Sequence, residues 1–340
     1  MPPSPEPQND RNPDNSLQHT ADEHVNLILG RRRVAQESRS AALATHTSDE
    51  KLRTLKTQFM RGAIAEGVEA PLGATMSTVQ TAGYLLAIGD SWFDYPIRDV
   101  LTNLDDHFAY NVESSAHKGD AIETMVSHVG QLDKFARNLD KIISVGAAPK
   151  AVLLSGGGND IAGDHFDLFL NNTDLKLNPL NEQVVAGVID TRLATAYRLM
   201  FLSINGLCTA RLGHAVPILI HGYDHPVPDG RGFLGGWGPL PGPWLKPGFD
   251  QKLLDNGADN IVLMAALIDR FNAMLQTVAQ EPGVGNVRYV DLRGTLSNDA
   301  DYEAFWANEL HPTGGNPFNP GRDGFRLVAE RFAAVLAQLP

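Results

Sequence analysis

Short apolar runs that stop abruptly at polar, glycine-containing turns recur along this chain and restrict its fold more than any other feature. Leu85-Leu86-Ala87-Ile88 runs into Gly89-Asp90-Ser91, and Ala151-Val152-Leu153-Leu154-Ser155 runs into Gly156-Gly157-Gly158-Asn159-Asp160. Tyr84–Ser91, Phe108–Ser115, Ala151–Ser155, Pro217–His221 and Val287–Leu292 therefore read as five strands. Apolar runs bounded by turn signals, without polar alternation, indicate strands buried on both faces. Between them lie stretches of helical spacing at 131–144, 182–212 and 260–280, and another at 324–338 closes the chain. Asn205-Gly206 is the expected irregularity in the long second stretch. Strands alternating with helices predict a three-layer α/β/α architecture around a five-stranded parallel sheet, with right-handed crossovers.

Such a sheet places chemistry at the carboxyl ends of its strands. Ser91 is predicted there, where the first apolar run ends, with Pro96 suited to the first turn of a following helix. A serine in that position has free backbone N–H groups and a helix dipole close by, which suits a nucleophile that develops an oxyanion. Asn159 follows three glycines at the end of the third predicted strand, where a tight backbone can aim its amide at the same point. An amide remains a neutral donor at any working pH. Gly119 sits before a predicted helix, where N–H groups are unpaired and no side chain blocks approach. His311, near the end of the chain, is the candidate base because an imidazole titrates close to neutrality.

Gly-Asp-Ser, Gly-x-Asn-Asp and His-Pro, in that order, resemble the motifs of the SGNH (GDSL-type) hydrolases over about Tyr84 to Leu339. The resemblance implies a flavodoxin-like strand order with no cofactor. It also implies a serine esterase acting on short-chain acyl, acetyl or aromatic esters through an acyl-enzyme. Ser91 would be the nucleophile and His311 the base, with the Ser91 and Gly119 N–H groups and the Asn159 amide as the oxyanion hole. The chain departs from the family at one position. The family's Asp-x-x-His reads Asn308-Glu309-Leu310-His311 here, so the residue that would orient the base carries no charge. In a serine protease the Asp-to-Asn change costs about four orders of magnitude through a wrong tautomer. Either Asn308 presents its carbonyl and a Ser–His dyad works without an acid, or Glu309 or Asp323 replaces it. The dyad with Asn308 is the reading favoured here. The stretch from Thr313 to Asp323 is also longer than the family usually has.

The 222–256 segment is rich in glycine and proline and carries Phe233, Trp237, Trp244 and Phe249. It leaves the carboxyl end of the fourth predicted strand, so it is expected to form a rim or lid over the substrate; a loop packed on itself is the alternative. Trp92, Asp160, Tyr223, His225, Trp237 and Trp244 are the candidates for lining the site, although Asp90 and Asp160 also suit bracing loops.

The first 20 residues are polar and Pro-rich and are expected to be a disordered tail, residues 21–80 a helical extension, and residues 81–340 the catalytic domain. Ser48 looks like an N-cap within the extension, which could cover the sheet or mediate self-association. A net charge of −12 argues against nucleic acid or an anionic membrane as partner. The single cysteine, Cys208, rules out an intrachain disulfide. With no signal-like amino terminus and no long apolar run, the chain is expected to be soluble and cytoplasmic, with a small ester as substrate and self-association possible. Two other readings fit parts of the pattern. One is a metal-dependent phosphoesterase using Asp90, Asp94, His221 and His225; the other is a non-catalytic carbohydrate- or acyl-binding module.

Overall fold

The computed structural model describes residues 13–61, 81–96, 98–127, 129–235, 240–314 and 323–340, with backbone only at 13–14 and 45–61. Five parallel strands form one sheet in the order β2-β1-β3-β4-β5: β1 Gly83–Ile88, β2 Tyr110–Ser114, β3 Pro149–Leu154, β4 Ile218–His221 and β5 Val287–Val290. The central strands carry fully buried Leu85, Leu86, Ala87, Ile88 and Ala151 to Leu154, as their unbroken apolar runs require. The strand order reverses between β1 and β3, so a crevice opens outside the carboxyl ends of these neighbours.

Helix α1 spans Pro13–Arg61, α2 Val100–Phe108, α3 Ile122–Val126, α4 Gln131–Ser144 and the one-turn α5 Gly158–Ile161. A continuous helical stretch then runs through α6 Glu182–Val185, a π-helical segment Ala186–Leu193 and α7 Ala194–Leu212. Short α8 (Lys246–Gln251), α9 (Gly257–Ala279) and the closing α10 (Gly324–Leu336) complete the chain. Helices α2 and α10 pack together against one face of the sheet, and α4, α7 and α9 cover the other. Helix α9 is long and apolar enough to span a bilayer by composition. Its apolar side, including Met264, Leu267, Phe271 and Leu275, is instead buried in the core, while Arg270 pairs with Asp190 and Glu182 outside it.

Three features of the sequence reading need correction. Residues 13–20 are not tail but the start of α1, and Ser48 lies inside that helix rather than capping a new one. The run has no proline after Pro13, and Pro at the first turn of a helix is well tolerated. Where its side chains are described, the helix seats Ala21, Val25 and Ile28 on α4 and α7, and a fully buried Val or Ile side chain adds roughly 1.5–3 kcal/mol. Gly206 is no irregularity either, since α7 is regular throughout. A Cβ at Gly206 would stand 2.8 Å from Val25 Cγ2, so the glycine lets α1 approach. The irregularity is the π-helical turn upstream, at Ala186–Leu193.

Candidate active site

The first apolar run delivers Ser91 just past β1, as expected, but no helix starts behind it. Helix α2 begins at Val100, capped by Asp99, whose carboxylate accepts the Thr102 N–H, so Pro96 lies in the connecting loop. A buried hydrogen-bond network holds the turn in place of a helix. Asp90 is 1% exposed and accepts from the Trp92 N–H at 3.0 Å, the Ser155 hydroxyl at 2.7 Å and the Tyr223 hydroxyl at 2.7 Å. Tyr223 also accepts from the Gly158 N–H, and Gln131 bonds both the N–H and the carbonyl of Gly89. These bonds tie the ends of β1, β3 and β4 to the Ser91 turn.

His311 reaches Ser91 from the opposite side. The backbone folds back on itself here, with the Ala307 N–H bonded to the His311 carbonyl. Asn308 Oδ1 accepts the backbone N–H groups of Leu310 and His311, both at 2.9 Å, and lies 3.0 Å from His311 Nδ1. Three donors converge on that atom, so it is the oxygen of the amide, and Asn308 Nδ2 donates to the Tyr95 hydroxyl at 3.2 Å. His311 Nδ1 therefore carries the hydrogen, which leaves the Nε2 lone pair facing Ser91 Oγ at 2.7 Å. The imidazole lies between the rings of Tyr95 and Trp244, at 4.8 and 5.5 Å. Burial lowers its pKa to about 4, with Asp90 opposing part of that shift. Burial likewise holds the Tyr95 phenol at about 12, so it stays protonated.

Neither alternative acid touches the imidazole. Glu309 is fully buried and accepts four backbone N–H groups, those of Gly230, Trp244, Leu245 and Lys246, at 2.6–3.0 Å. Desolvation raises its pKa while those bonds oppose the rise. Asp323 caps α10 through the Arg326 N–H and pairs with Arg98. Of the longer stretch noted above, residues 315–322 lie outside the described residues.

Asn159 stands at the end of β3 on α5. A Cβ at Gly157, whose φ is +91°, would come within 2.5 Å of Phe271, so the glycines allow the turn to slide beneath α9. The Asn159 amide donates one hydrogen to the Asp120 carbonyl at 3.0 Å, and its second hydrogen remains for the crevice. Gly119 does not open a helix as expected. It occupies an exposed turn at φ +85°, and the helix proper begins at Ile122.

Two cavities meet at Ser91, Asn159 and His311. A small one of about 30 Å³ lies over the core, lined by Trp92, Ile161, Tyr223, Met264, Ile268 and Trp306 among others. A larger one of about 380 Å³ lies under the 222–256 segment, lined by Tyr95, Lys118, Gly119, Phe233, Leu240 and Trp244 among others. Trp244 thus faces the site, and Trp92 and Tyr223 do so from buried positions in which they also brace it. Trp92 stacks on His221 and donates its indole N–H to the Leu310 carbonyl. His225 is turned to Asp269 at 3.0 Å, and Asp160 is buried beneath the site. Neither is a lining residue of these two cavities. Trp237 lies outside the described residues.

The four candidate metal ligands diverge. Asp90 is committed to the Ser91 turn and Asp94 accepts the Lys118 N–H. His221 is enclosed by aromatic rings, and His225 pairs with Asp269. Among the described residues no group of three or more His, Cys, Asp or Glu side chains is placed to hold a metal ion.

Sequence reasoning named Glu309 only as a possible acid and did not foresee the two buried brackets of the site. Glu309 is one. Asp224 is the other; it is 2% exposed and accepts the N–H groups of Gly294, Thr295 and Leu296. Apart from the neighbouring His225 N–H, which Asp224 also accepts, their partners are backbone amides distant in sequence, so no local pattern announces them.

The chain matches no protein-family model and no curated protein. Similar solved structures include Axe2, an acetylxylan esterase from Geobacillus stearothermophilus, at 14% identity and a TM-score of 0.38, covering 76% of this chain and 95% of that one. A protein from Slackia heliotrinireducens, whose description proposes an SGNH hydrolase, aligns at 14% identity and a TM-score of 0.41 over 75% of this chain and 98% of its own. An extracellular lipase from Streptomyces rimosus aligns at 16% identity and a TM-score of 0.38, over 74% and 100% respectively. Similarity at this level carries no chemistry across, so function rests on the side chains described above.

Proposed function

We propose that this chain is a serine ester hydrolase that works through an acyl-enzyme, with Ser91 as nucleophile and His311 as base. The observation that carries this reading is the continuous chain from Ser91 Oγ to His311 Nε2 at 2.7 Å and from His311 Nδ1 to Asn308 Oδ1 at 3.0 Å. Ser91 Oγ attacks the ester carbonyl carbon while its proton passes to Nε2. Negative charge gathers on the carbonyl oxygen, where the Ser91 and Gly119 N–H groups and the free hydrogen of the Asn159 amide receive it. The imidazolium then gives its proton to the departing alkoxide, and water enters by the same steps in reverse order. Asn308 fixes the tautomer without adding a charge, so His311 acts as part of a dyad.

The cavities favour an ester of unequal halves. The small cavity, at about 30 Å³, has room for no more than a short acyl group such as acetyl. The larger, aromatic-walled cavity suits a bulkier alcohol. A fluorophosphonate followed by peptide mapping tests the assignment. It should label Ser91 in the wild type, leave His311→Ala unlabelled, and be indifferent to a chelator. Label on another serine, or turnover that a chelator abolishes, would exclude it.

A further inference from the structure

Asp160 lies directly after the proposed oxyanion donor Asn159, yet its side chain has no exposed area and faces away from both cavities. Its Oδ2 accepts the Ile122 N–H at 3.0 Å, a first-turn amide of α3, and Ala121 at the cap position supplies no side-chain cap of its own. Asn159 meanwhile holds the Asp120 carbonyl at 3.0 Å. Two consecutive residues of α5 thus grip the backbone on either side of residue 121, immediately after Gly119. Asp160 Oδ1 is buried without a hydrogen-bond partner and stands 4.0 Å from Arg192, which the π-helical turn brings to it and which bonds Glu123 at 2.8 Å.

We propose that Asp160 is a positioning residue whose ionised carboxylate holds the turn that presents the Gly119 N–H to the oxyanion, so that its protonation loosens that donor and slows acyl transfer. The inference rests on the esterase reading above. A charged acceptor makes the stronger bond to Ile122, and a protonated carboxyl would carry an O–H with no acceptor beside Oδ1. The groups facing the carboxylate are Arg192 from the π-helical turn, Glu123 from α3, Asp90 from the nucleophile turn and the Tyr197 hydroxyl from α7. Asp120, on the gripped turn itself, is engaged by Gln131 and His117. Burial lifts the Asp160 pKa to about 6, while the Ile122 bond and Arg192 restrain it. The carboxylate is ionised above that pH and lost below it, whereas His311 becomes protonated only near 4.

The test is the pH dependence of kcat on an aryl acetate. The wild type should lose turnover as pH falls through about 6. Asp160→Asn, a neutral isostere, should turn over about tenfold more slowly at pH 8, with KM within about twofold, because part of one oxyanion donor's worth is lost. Its remaining acid limb should lie near 4, where His311 titrates. Arg192→Gln, at a half-exposed residue outside the site, should move the wild-type limb to higher pH. The Ile122 amide resonance should titrate in step with the limb, a readout that needs no activity. A wild-type rate and an unmoved limb in Asp160→Asn would overturn the proposal. So would an unmoved limb in Arg192→Gln, or an Ile122 resonance that ignores pH. If Asp160→Asn fails to fold, the arginine variant and the resonance decide. Failure of Ser91 to react with the fluorophosphonate would instead sink the esterase reading, and the Ile122 resonance would still judge the grip.

Discussion

Asn308 holds His311 twice with one atom, accepting its backbone N–H at 2.9 Å and facing its Nδ1 at 3.0 Å. The same oxygen shapes the turn and sets the tautomer. An aspartate could make both bonds, and the Tyr95 hydroxyl, which now accepts from the Asn308 amide, could rotate to donate instead. Asn308→Asp should therefore fold normally. A carboxylate beside the imidazole favours its charged form, so the acid limb belonging to His311 should move up from about 4, with plateau turnover equal or higher. A pH–rate series in the Asp160→Asn background isolates that limb; an unmoved limb would mean that Asn308 does not face the base during turnover.

Ser91→Ala should leave less than about a hundredth of wild-type ester hydrolysis with an unchanged melting temperature, since what persists without a nucleophile comes from binding and the oxyanion donors. Asn159→Ala should cost roughly 10²–10³ in kcat with little change in KM, because its bond strengthens only as charge develops. Steady-state kinetics with far-UV circular dichroism as a folding control measure both. A raised KM at constant kcat would make Asn159 a binder of ground-state substrate.

Glu309→Gln separates the loop bracket from a catalytic acid. The amide would turn an NH₂ toward backbone donors, and leaving such groups unpaired costs roughly 1–3 kcal/mol each. The expected result is a lower melting temperature and a lower rate with an unchanged pH profile. A shift of the acid limb would show that the carboxylate acts on His311 after all.

His311 also links pH to stability. Its folded pKa of about 4 lies below the unfolded value near 6.5, so its contribution is fully present above 6.5 and is lost as pH falls toward 4. A shift of that size corresponds to roughly 3 kcal/mol. Asp160 runs the other way between its unfolded value and about 6, and masks part of the trend in the wild type. The advantage of His311→Gln over wild type in melting temperature should therefore grow as pH drops from 7.5 to 4.5. A constant difference would contradict the buried neutral imidazole.

The sheet was legible in the sequence because buried parallel strands write themselves as unbroken apolar runs. Each predicted strand overlaps an observed one, and α4 begins and ends where its spacing placed it. The meeting of Ser91, Asn159 and His311 was legible from motif order, and Asn308 from its offset to His311. Two kinds of relation were not. Tyr223 and Asp90 join across 133 positions, and Asp224 and Glu309 bind amides far from them in sequence, so neither leaves a periodic trace. Gly206 resembled a helix breaker because the side chain that requires it, Val25, belongs to an element packed from outside the sheet. His225 suggested the rim by position alone, whereas its partner Asp269 lies on α9.

The bracket at Glu309 fixes the 222–256 segment at two places, residue 230 and residues 244–246, one position away from the residue that orients the base. What lies between the clamps supplies Phe233, Leu240 and Pro241 to the larger cavity. Substitutions at Phe233, Leu240 and Pro241 are therefore expected to change which alcohol is accepted while the ends stay moored beside Asn308; Arg231, whose carbonyl accepts the Glu309 N–H and whose guanidinium holds the Trp306 carbonyl, belongs to the moorings and not to the exchangeable part.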